Sequence, residues 1–484
     1  MVSAPTTQGQ SSLPSTNPTT SFWHCDPSPL LLGHRTTPDL PTTTDVIIIG
    51  SGITGAFAAH FLHEQDASRD VLMLEAREAC WGATGRNGGH CQPSVYPSPP
   101  DIGGFELRNY KFLKDFVANN EIPCEWKTLE GCHAYYDADM FAQALGLYQI
   151  LQDADPELSG TVKVITQDSI SPSLSDLRVP RAVGAFVQAN AASLWPYKLV
   201  CWTLESLLTK GAFNLQTNTP VTSLQKVEKD GSWIVHTPQG MVAAKNVILT
   251  TNAYTSHLLP KMKDLIVPVQ GEMSALVAPR NVKRAPLAMS YVFAGHDKVK
   301  NVYQDDYLIQ RPSGGELMFG GGRQYATDGG VGCSDDSWTS RSAAKYLRNE
   351  LNHALDLSPS SSEEVKTLRE ELSRALDPSS SSSKELKASF EWTGIMGFSR
   401  DGRPWVGAVP EELGGGKGLW ICAGFTGHGM PNATGCAKAV VELMLGKEGE
   451  EVDLPSVHRV GRERVERARV GDEVREADLK GFFV

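Results

Sequence analysis

The sequence predicts an α/β chain of two domains (α+β in its organisation), one on a parallel sheet and one on an antiparallel sheet. Three observations lead there. Asp45–Gly50 is a β-branched run, Ile53–Glu64 has helical spacing and Asp70–Glu75 is again strand-like, so the folded part opens with a βαβ unit. From Val267 strands follow one another at wide spacing, as in an antiparallel sheet. After Gly394 the chain turns apolar and glycine-rich again, with a strand over Gly418–Ala423 and a helix over Gly435–Leu445 that return to the first domain.

Residues 1–44 are rich in Ser, Thr and Pro, a composition that repays little of the entropy of ordering, so a mobile extension is expected. Its second half, Ser21–His24 through Leu30–Leu32, has the apolar content to dock on the body. Residues 45–266 form the first domain, with segments of the second interleaved around 100–190. Within it, Trp195–Lys210 reads as a helix, and Val221–Leu224, Trp233–Thr237 and Ala243–Thr251 as strands. Residues 267–393 form the second domain, with strands at Ser274–Val277, Tyr303–Gln310 and Glu316–Gly320. It carries a helical insertion over 335–387, whose helices Ser340–Leu355 and Ser362–Ala375 are flanked by exposed serine runs at 358–362 and 378–383. Residues 394–446 return to the first domain. The tail, 447–484, has mixed charge, with Arg462, Arg464, Arg467 and Arg469 expected on a solvated face.

Composition excludes several classes. With 484 residues, 40% hydrophobic and 21% charged, the chain is neither a small disulfide-stapled module nor a disordered one. The net charge of -11, without a basic cluster, argues against a nucleic-acid partner. The nine cysteines are scattered, with no CxxC pair, which suggests free thiols in a reducing compartment. No apolar run nears the roughly 18 residues of a membrane span, and no basic, apolar leader opens the chain. A cytoplasmic enzyme without a membrane partner is expected, its oligomeric state left open.

The chemistry begins at Gly50-Ser51-Gly52-Ile53-Thr54-Gly55, which follows a strand and opens a helix. In that context GxGxxG is a dinucleotide fingerprint: a tight turn, close approach of a pyrophosphate and close packing of helix on strand, with the phosphate charge at the helix N-terminus. Glu75 ends the second strand, where a carboxylate takes ribose hydroxyls and repels a 2′-phosphate, which disfavours NADP. The fingerprint leaves FAD and NAD both open. A second glycine-rich loop, Gly82-Ala83-Thr84-Gly85-Arg86-Asn87-Gly88-Gly89-His90, follows Glu75-Ala76-Arg77 at once, and NAD enzymes have no general use for it.

With these two loops, the stretch Glu391–Pro404 and the motif Phe425-Thr426-Gly427-His428-Gly429-Met430, the chain resembles the D-amino-acid oxidase superfamily, which includes glycine oxidase and sarcosine oxidase, over most of residues 45–446. The last two motifs and the Gly-Arg-Asn-Gly-Gly core are most similar to the γ-glutamylputrescine oxidase branch. The resemblance implies a Rossmann-like FAD-binding domain, an antiparallel-sheet substrate domain and FAD as cofactor. It implies FAD contacts at Gly50, Ser51, Gly52, Ile53, Thr54, Gly55, Glu75, Ala76, Arg77, Ala83, Thr84, Arg86, Asn87 and Gly88. Val221, Asn252, Gly424, Gly427, His428, Gly429 and Met430 complete the set. The last four lie before a helix whose dipole would face the flavin pyrimidine.

The implied reaction is oxidation of a C–N bond of an amine or amino acid by hydride transfer to flavin N5, giving an imine that hydrolyses, with oxygen as acceptor. The alternatives are a dehydrogenase with another acceptor, a biosynthetic oxidase acting on a larger secondary amine, and a non-catalytic FAD-binding protein. No metal site is expected. Candidate substrate-side residues are His428, Arg323, Tyr307, Trp392 and His90, with Tyr303 and Arg311 beside the same strands; an Arg there would pair bidentately with a carboxylate. Two departures stand out. Gly394-Ile395 stands near the position of sarcosine oxidase's flavin-bonding cysteine, and Leu317-Met318-Phe319 near that of its oxygen-activating lysine, so that covalent link is not expected and rapid use of oxygen is in doubt. Histidines near the second loop bond the flavin in some relatives, but His90 stands in a different register.

Overall fold

The computed structural model describes residues 9–298, 302–358 and 385–470. The β-branched run becomes the strand Thr43–Ile49, flanked in parallel by Val71–Leu74 and Gly240–Leu249. Phe213–Gln216 extends the parallel set on one side and Leu419–Ala423 on the other, where Trp405–Ala408 closes the edge in antiparallel sense. An antiparallel hairpin, Ser223–Lys226 with Trp233–Thr237, is joined to Gly240–Leu249. Val221 precedes that hairpin rather than starting its strand.

The central strand is buried on both faces, which is why it reads as an unbroken apolar run. Ile48 packs with the helix Ile53–Gln65, and Ile47 and Ile49 with Trp233, Val235 and Trp405. The helix Ile53–Gln65 is itself wedged against the helices Pro196–Lys210 and Ala433–Met444. This explains its apolar residues on all sides.

The second sheet runs Ala388–Ser399, Ile266–Leu276, Leu317–Gly321, Val302–Gln310, Met289–Asp297, Lys127–Tyr135, Gly184–Ser193 and His90–Cys91, with Val162–Thr166 beside Gly184–Ser193. Its pairs are antiparallel except for Met289–Asp297 against Lys127–Tyr135. The strand Ala388–Ser399 stays in this sheet past the boundary expected at residue 394. Of the expected insertion, the helix Arg341–Ala354 is present, with Ser340 as its N-cap. The stretch 362–375 and the serine runs, apart from Ser358, lie outside the described residues.

Two expectations need correction. The N-terminal extension is not a mobile tail over residues 9–44: Phe22, Trp23 and Leu31 are buried, and Arg35 bridges to Gln216 at the edge of the first sheet. Two buried rings and a series of hydroxyl hydrogen bonds offset the ordering cost that composition alone counts against it. The tail is not solvated throughout either. In the helix Arg462–Val470, Arg464 is buried, its guanidinium lies 3.8 Å above the Trp405 ring, and it donates to Asp401 and to the carbonyls of Arg403, Pro404 and His458. Arg462, Arg467 and Arg469 are exposed, as expected of such a segment.

Candidate functional site: a nucleotide cradle opening onto a polar pocket

A single cavity runs from the ends of the parallel strands to the face of the antiparallel sheet. At its first end the fingerprint glycines are sterically required. Gly50 has φ +108°, and a Cβ there would lie 2.9 Å from the Thr250 carbonyl oxygen. A Cβ on Gly55 would lie 2.0 Å from the Gly50 carbonyl oxygen, so this third glycine serves the packing of helix on strand and does not line the cavity. Gly52 is the N-cap of the helix, and the Thr84 hydroxyl accepts from the Ile53 N–H at 3.1 Å, tying the second loop to the helix N-terminus. The Glu75 carboxylate accepts from the Ser51 N–H and hydroxyl at 3.0 and 2.7 Å and from the Arg77 N–H at 2.9 Å. It thereby clamps the turn while facing the cavity with Ala76 and Val221.

The second loop is held by a buried charge cluster. Asp336 accepts from Arg77 Nη1 at 2.9 and 3.0 Å and lies 3.4 Å from Arg86 Nε. Arg86 Nε also donates to the Thr393 carbonyl at 2.6 Å. Burial drives the Arg86 guanidinium down to about 10, with Asp336 opposing that shift. Trp392 is fully buried behind the loop, donating to the Arg86 carbonyl at 2.7 Å; it does not line the cavity, which corrects its expected place beside a substrate. Beyond Arg86 the backbone passes close under the second sheet, and a Cβ on Gly88 would lie 2.3 Å from the Tyr307 ring.

The motif Gly427–Met430 lines the same cavity, but Gly424 does not. Gly424 instead gives its N–H to Asn252 Oδ1 at 3.0 Å, so Asn252, itself at φ +44°, shapes the strand end before the motif. His428 Nε2 is hydrogen-bonded to Glu106 Oε2 at 2.8 Å and to the Ser94 hydroxyl at 3.0 Å. Burial opposes ionisation of Glu106, yet the His428 charge and bonds from His428, the Ser94 N–H and Asn432 outweigh it and hold the carboxyl below its ordinary value. Glu106 escaped the sequence reading, although a signal was present. It falls on the buried stripe of Ile102, Phe105, Tyr110 and Leu113 of the helix Pro100–Asn119, where an acidic residue needs a partner.

At its far end the cavity is lined by His90, Gln92, His133, Val292, Asp305, Tyr307 and Arg323. His90 Nε2 is hydrogen-bonded to Gln92 Oε1 at 2.8 Å, the Gln92 amide bonds His133 Nε2, and His133 Nδ1 is bonded to the Tyr96 hydroxyl at 2.8 Å. Burial pushes His90 down to about 4 and His133 to about 3, so both are neutral near pH 7 and act as hydrogen-bonding groups. Arg323 is salt-bridged to Asp305 at 2.6 Å, and the Tyr307 hydroxyl meets Met273 Sδ at 3.1 Å. Tyr303 and Arg311 are not at the cavity. Tyr303 stacks on His296, and Arg311 pairs with Glu125 and Glu316 at 2.7 and 2.9 Å over the rings of Phe22 and Trp195. Both had been placed near a substrate because they flank the right strands; Arg311 instead satisfies acidic neighbours brought from elsewhere in the chain.

A dinucleotide cradle with a second glycine loop, open to a polar pocket between two sheets, is the site of a flavin-dependent oxidoreductase. The chain matches the DAO family of FAD-dependent oxidoreductases over residues 45–443 and belongs to it. FAD is its cofactor. Relatives include gamma-glutamylputrescine oxidoreductase of Escherichia coli (strain K12), 22% identical over 44% of this chain and spanning only half of that relative. The probable oxidoreductase OrdL of Rhizobium meliloti (strain 1021) is 22% identical over 84% of each chain. Among solved structures, glycine oxidase from Geobacillus kaustophilus superposes with a TM-score of 0.66 at 18% identity, covering 87% of this chain and 99% of that one. L-proline dehydrogenase from P. horikoshii gives 0.61 at 19% identity, covering 88% and 99%. These likenesses establish the fold. No helix among the described residues is long and apolar enough to cross a membrane.

Proposed function

We propose that the enzyme oxidises the C–N bond of an amine or amino acid held against Tyr307, His90 and the Asp305–Arg323 pair. The observation that carries this is the approach of Gly88 to Tyr307, where the loop expected to pass the flavin meets the polar-lined end of the same cavity. In this reading Glu75 takes the ribose hydroxyls, the helix N-terminus at Gly52–Ile53 with Thr84 takes the pyrophosphate, and Ala83–Gly88 with Gly427–Met430 surround the isoalloxazine. The residues fit FAD: Gly50 and Gly52 present bare backbone to the cavity, and the Glu75 carboxylate faces it.

Bound FAD supplies a hydride acceptor at N5. The protein's part is to orient the substrate carbon and exclude water. His90 and His133, both uncharged near pH 7, offer hydrogen bonds without adding a charge that would favour one protonation state of the amine. Oxygen is the acceptor in this reading. The names of relatives that mention glutamylated putrescine, glycine and proline frame the substrate panel.

The test is anaerobic titration of the holoenzyme with primary amines, secondary amines and amino acids while following flavin absorbance. Bleaching by at least one amine, and return of colour in air, is the expected result. Bleaching only by a reduced nicotinamide would reject the reading, and reduced flavin stable in air would reject oxygen as acceptor. Tyr307→Phe is expected to slow substrate-dependent bleaching by about tenfold while FAD remains bound, a loss of one positioning contact at the reacting end. For the other end of the cavity, Glu75→Gln is expected to weaken FAD about ten- to hundredfold, the range for a lost charge-assisted hydrogen bond. Titration of the apoprotein measures it, and an unchanged affinity would place the ribose elsewhere.

A further inference from the structure

The N-terminal strap lies outside the family match, which begins at residue 45, yet it is bonded to the second glycine loop and to Arg77. The Ser21 hydroxyl donates to the Gly85 carbonyl at 2.8 Å, and the Trp23 indole N–H to the Asn87 carbonyl at 2.5 Å. Arg86 Nη2 donates to the carbonyl and hydroxyl of Thr19, both at 2.5 Å. A Cβ on Gly89 would lie 2.7 Å from the Trp23 ring, so the loop and the ring are shaped to each other. Three successive residues, Gly85, Arg86 and Asn87, are thus fixed from the side away from the cavity.

Earlier in the strap the contacts move to the cavity itself. Ser11 is hydrogen-bonded through its N–H and its hydroxyl to the Ser256 hydroxyl, each at 2.9 Å, and the Ser15 carbonyl accepts from Arg77 Nη1 at 3.3 Å. Between those two anchors Leu13 and Pro14 line the cavity, with His257 and Leu258 on one flank and Arg77 on the other. Leu13 and Pro14, lining the same cavity as Glu75, suit the flat face of an adenine ring.

We propose that residues 11–23 are part of the FAD site: Leu13 and Pro14 cover the adenosine end, and Thr19, Ser21 and Trp23 hold Gly85–Gly89 in the shape that receives the flavin. Trp23 is a positioning residue, acting through Asn87. The gain is preorganisation, because a loop already fixed loses less freedom when the cofactor binds. The inference rests on the cofactor orientation proposed above.

Two full-length-based variants test it. Deletion of residues 2–14 removes Leu13 and Pro14 but leaves the buried Phe22 and Trp23. Trp23→Phe keeps an aromatic ring in place and removes the indole N–H. FAD affinity is read by flavin fluorescence on titrating each apoprotein, and the melting of the same apoprotein is read beside it. The deletion is expected to weaken FAD about tenfold and Trp23→Phe about three- to tenfold. Apoprotein melting temperatures should stay within about 0.5 °C of wild type, because a tenfold affinity loss is about 1.4 kcal/mol and, taken from stability, would lower the melting of a chain this long by only about 1.5 °C. Wild-type FAD affinity in both variants overturns the proposal, as does a fall in apoprotein stability that accounts for the whole loss. Both strap variants without effect beside a damaging Glu75→Gln reject the strap and keep the cofactor orientation; no effect from Glu75→Gln rejects the orientation itself.

Discussion

Stability is expected to peak near pH 6.5 and to fall by about 5 kcal/mol on acidification to pH 4.5. Four histidines, His24, His90, His133 and His458, are held down to about 3, 4, 3 and 3 from an unfolded value of 6.5, in each case by burial first. Below pH 6.5 the unfolded chain protonates them and the folded chain does not, so stability falls as the pH drops. Glu272 and Asp306 act in the opposite sense. Burial raises them to about 8 and about 7, so between pH 6.5 and 4.5 the folded chain holds two protons that the unfolded carboxylates have released. The unfolded state is left with a net excess of about two protons, worth about 3 kcal/mol per pH unit. Above pH 6.5 stability declines as the two carboxyls lose their protons in the folded state, and toward pH 8.5 the thiols that burial holds above their ordinary value add to the decline as the unfolded thiols ionise. A total stability of about 5–15 kcal/mol makes the acid limb large enough to unfold the chain. Denaturant melts from pH 4.5 to 8.5 measure both limbs; stability that stays level or rises between pH 6.5 and 4.5 would show that these histidines are not buried as described.

Asp336→Asn is expected to destabilise the protein by about 3–5 kcal/mol, the cost of leaving buried charges without their partner. The carboxylate serves two buried guanidiniums, with Arg77 and Arg86 side chains exposed by only 6% and 1%. An amide of the same shape keeps some hydrogen bonds but none of the charge compensation. The Thr19 N–H is bonded to the Asp336 carbonyl, and Arg77 and Arg86 to the strap, so FAD affinity should fall along with stability. Chemical denaturation checks the first effect and cofactor titration the second. A variant as stable as wild type would mean that water reaches these guanidiniums.

The glycine cradle and Glu75 were legible in the sequence because their pattern is local. Gly50, Gly52 and Gly55 fall within six residues of one turn between a strand and a helix, so their spacing shows in the chain even though the atoms that crowd Gly50 and Gly52 come from Thr250 and Thr84, and Glu75 sits at a strand end that periodicity places. The substrate half was legible only in part. His90, Tyr307 and Arg323 reach the cavity, but Trp392 lies behind the loop and Arg311 lies among Glu125, Glu316 and two rings of other segments. All of these residue types suit an antiparallel sheet, and spacing along a strand gives the face a side chain takes but not what the opposite layer brings to it. The docking of Ser21–His24 was legible from its apolar residues, but the order of residues 11–19 was not: composition counts the entropy lost on ordering Ser, Thr and Pro and does not show that Ser256 and Ser334 bond Ser11 and Ser12.

By itself the sequence determined the βαβ start, the return of the last strand and helix to the first domain, the glycine cradle, Glu75 and the second glycine loop. Each follows from hydrophobic period or from backbone space, which act between near neighbours. The tertiary structure decided which charges are compensated, Asp336 for Arg77 across 259 positions and Asp305 for Arg323 across 18, and which buried carboxylate finds a hydrogen-bond partner, Glu106 with His428 across 322. A buried charge is stabilised by whatever opposite charge the fold brings within a few ångströms, and that distance is a property of the assembled layers rather than of any segment.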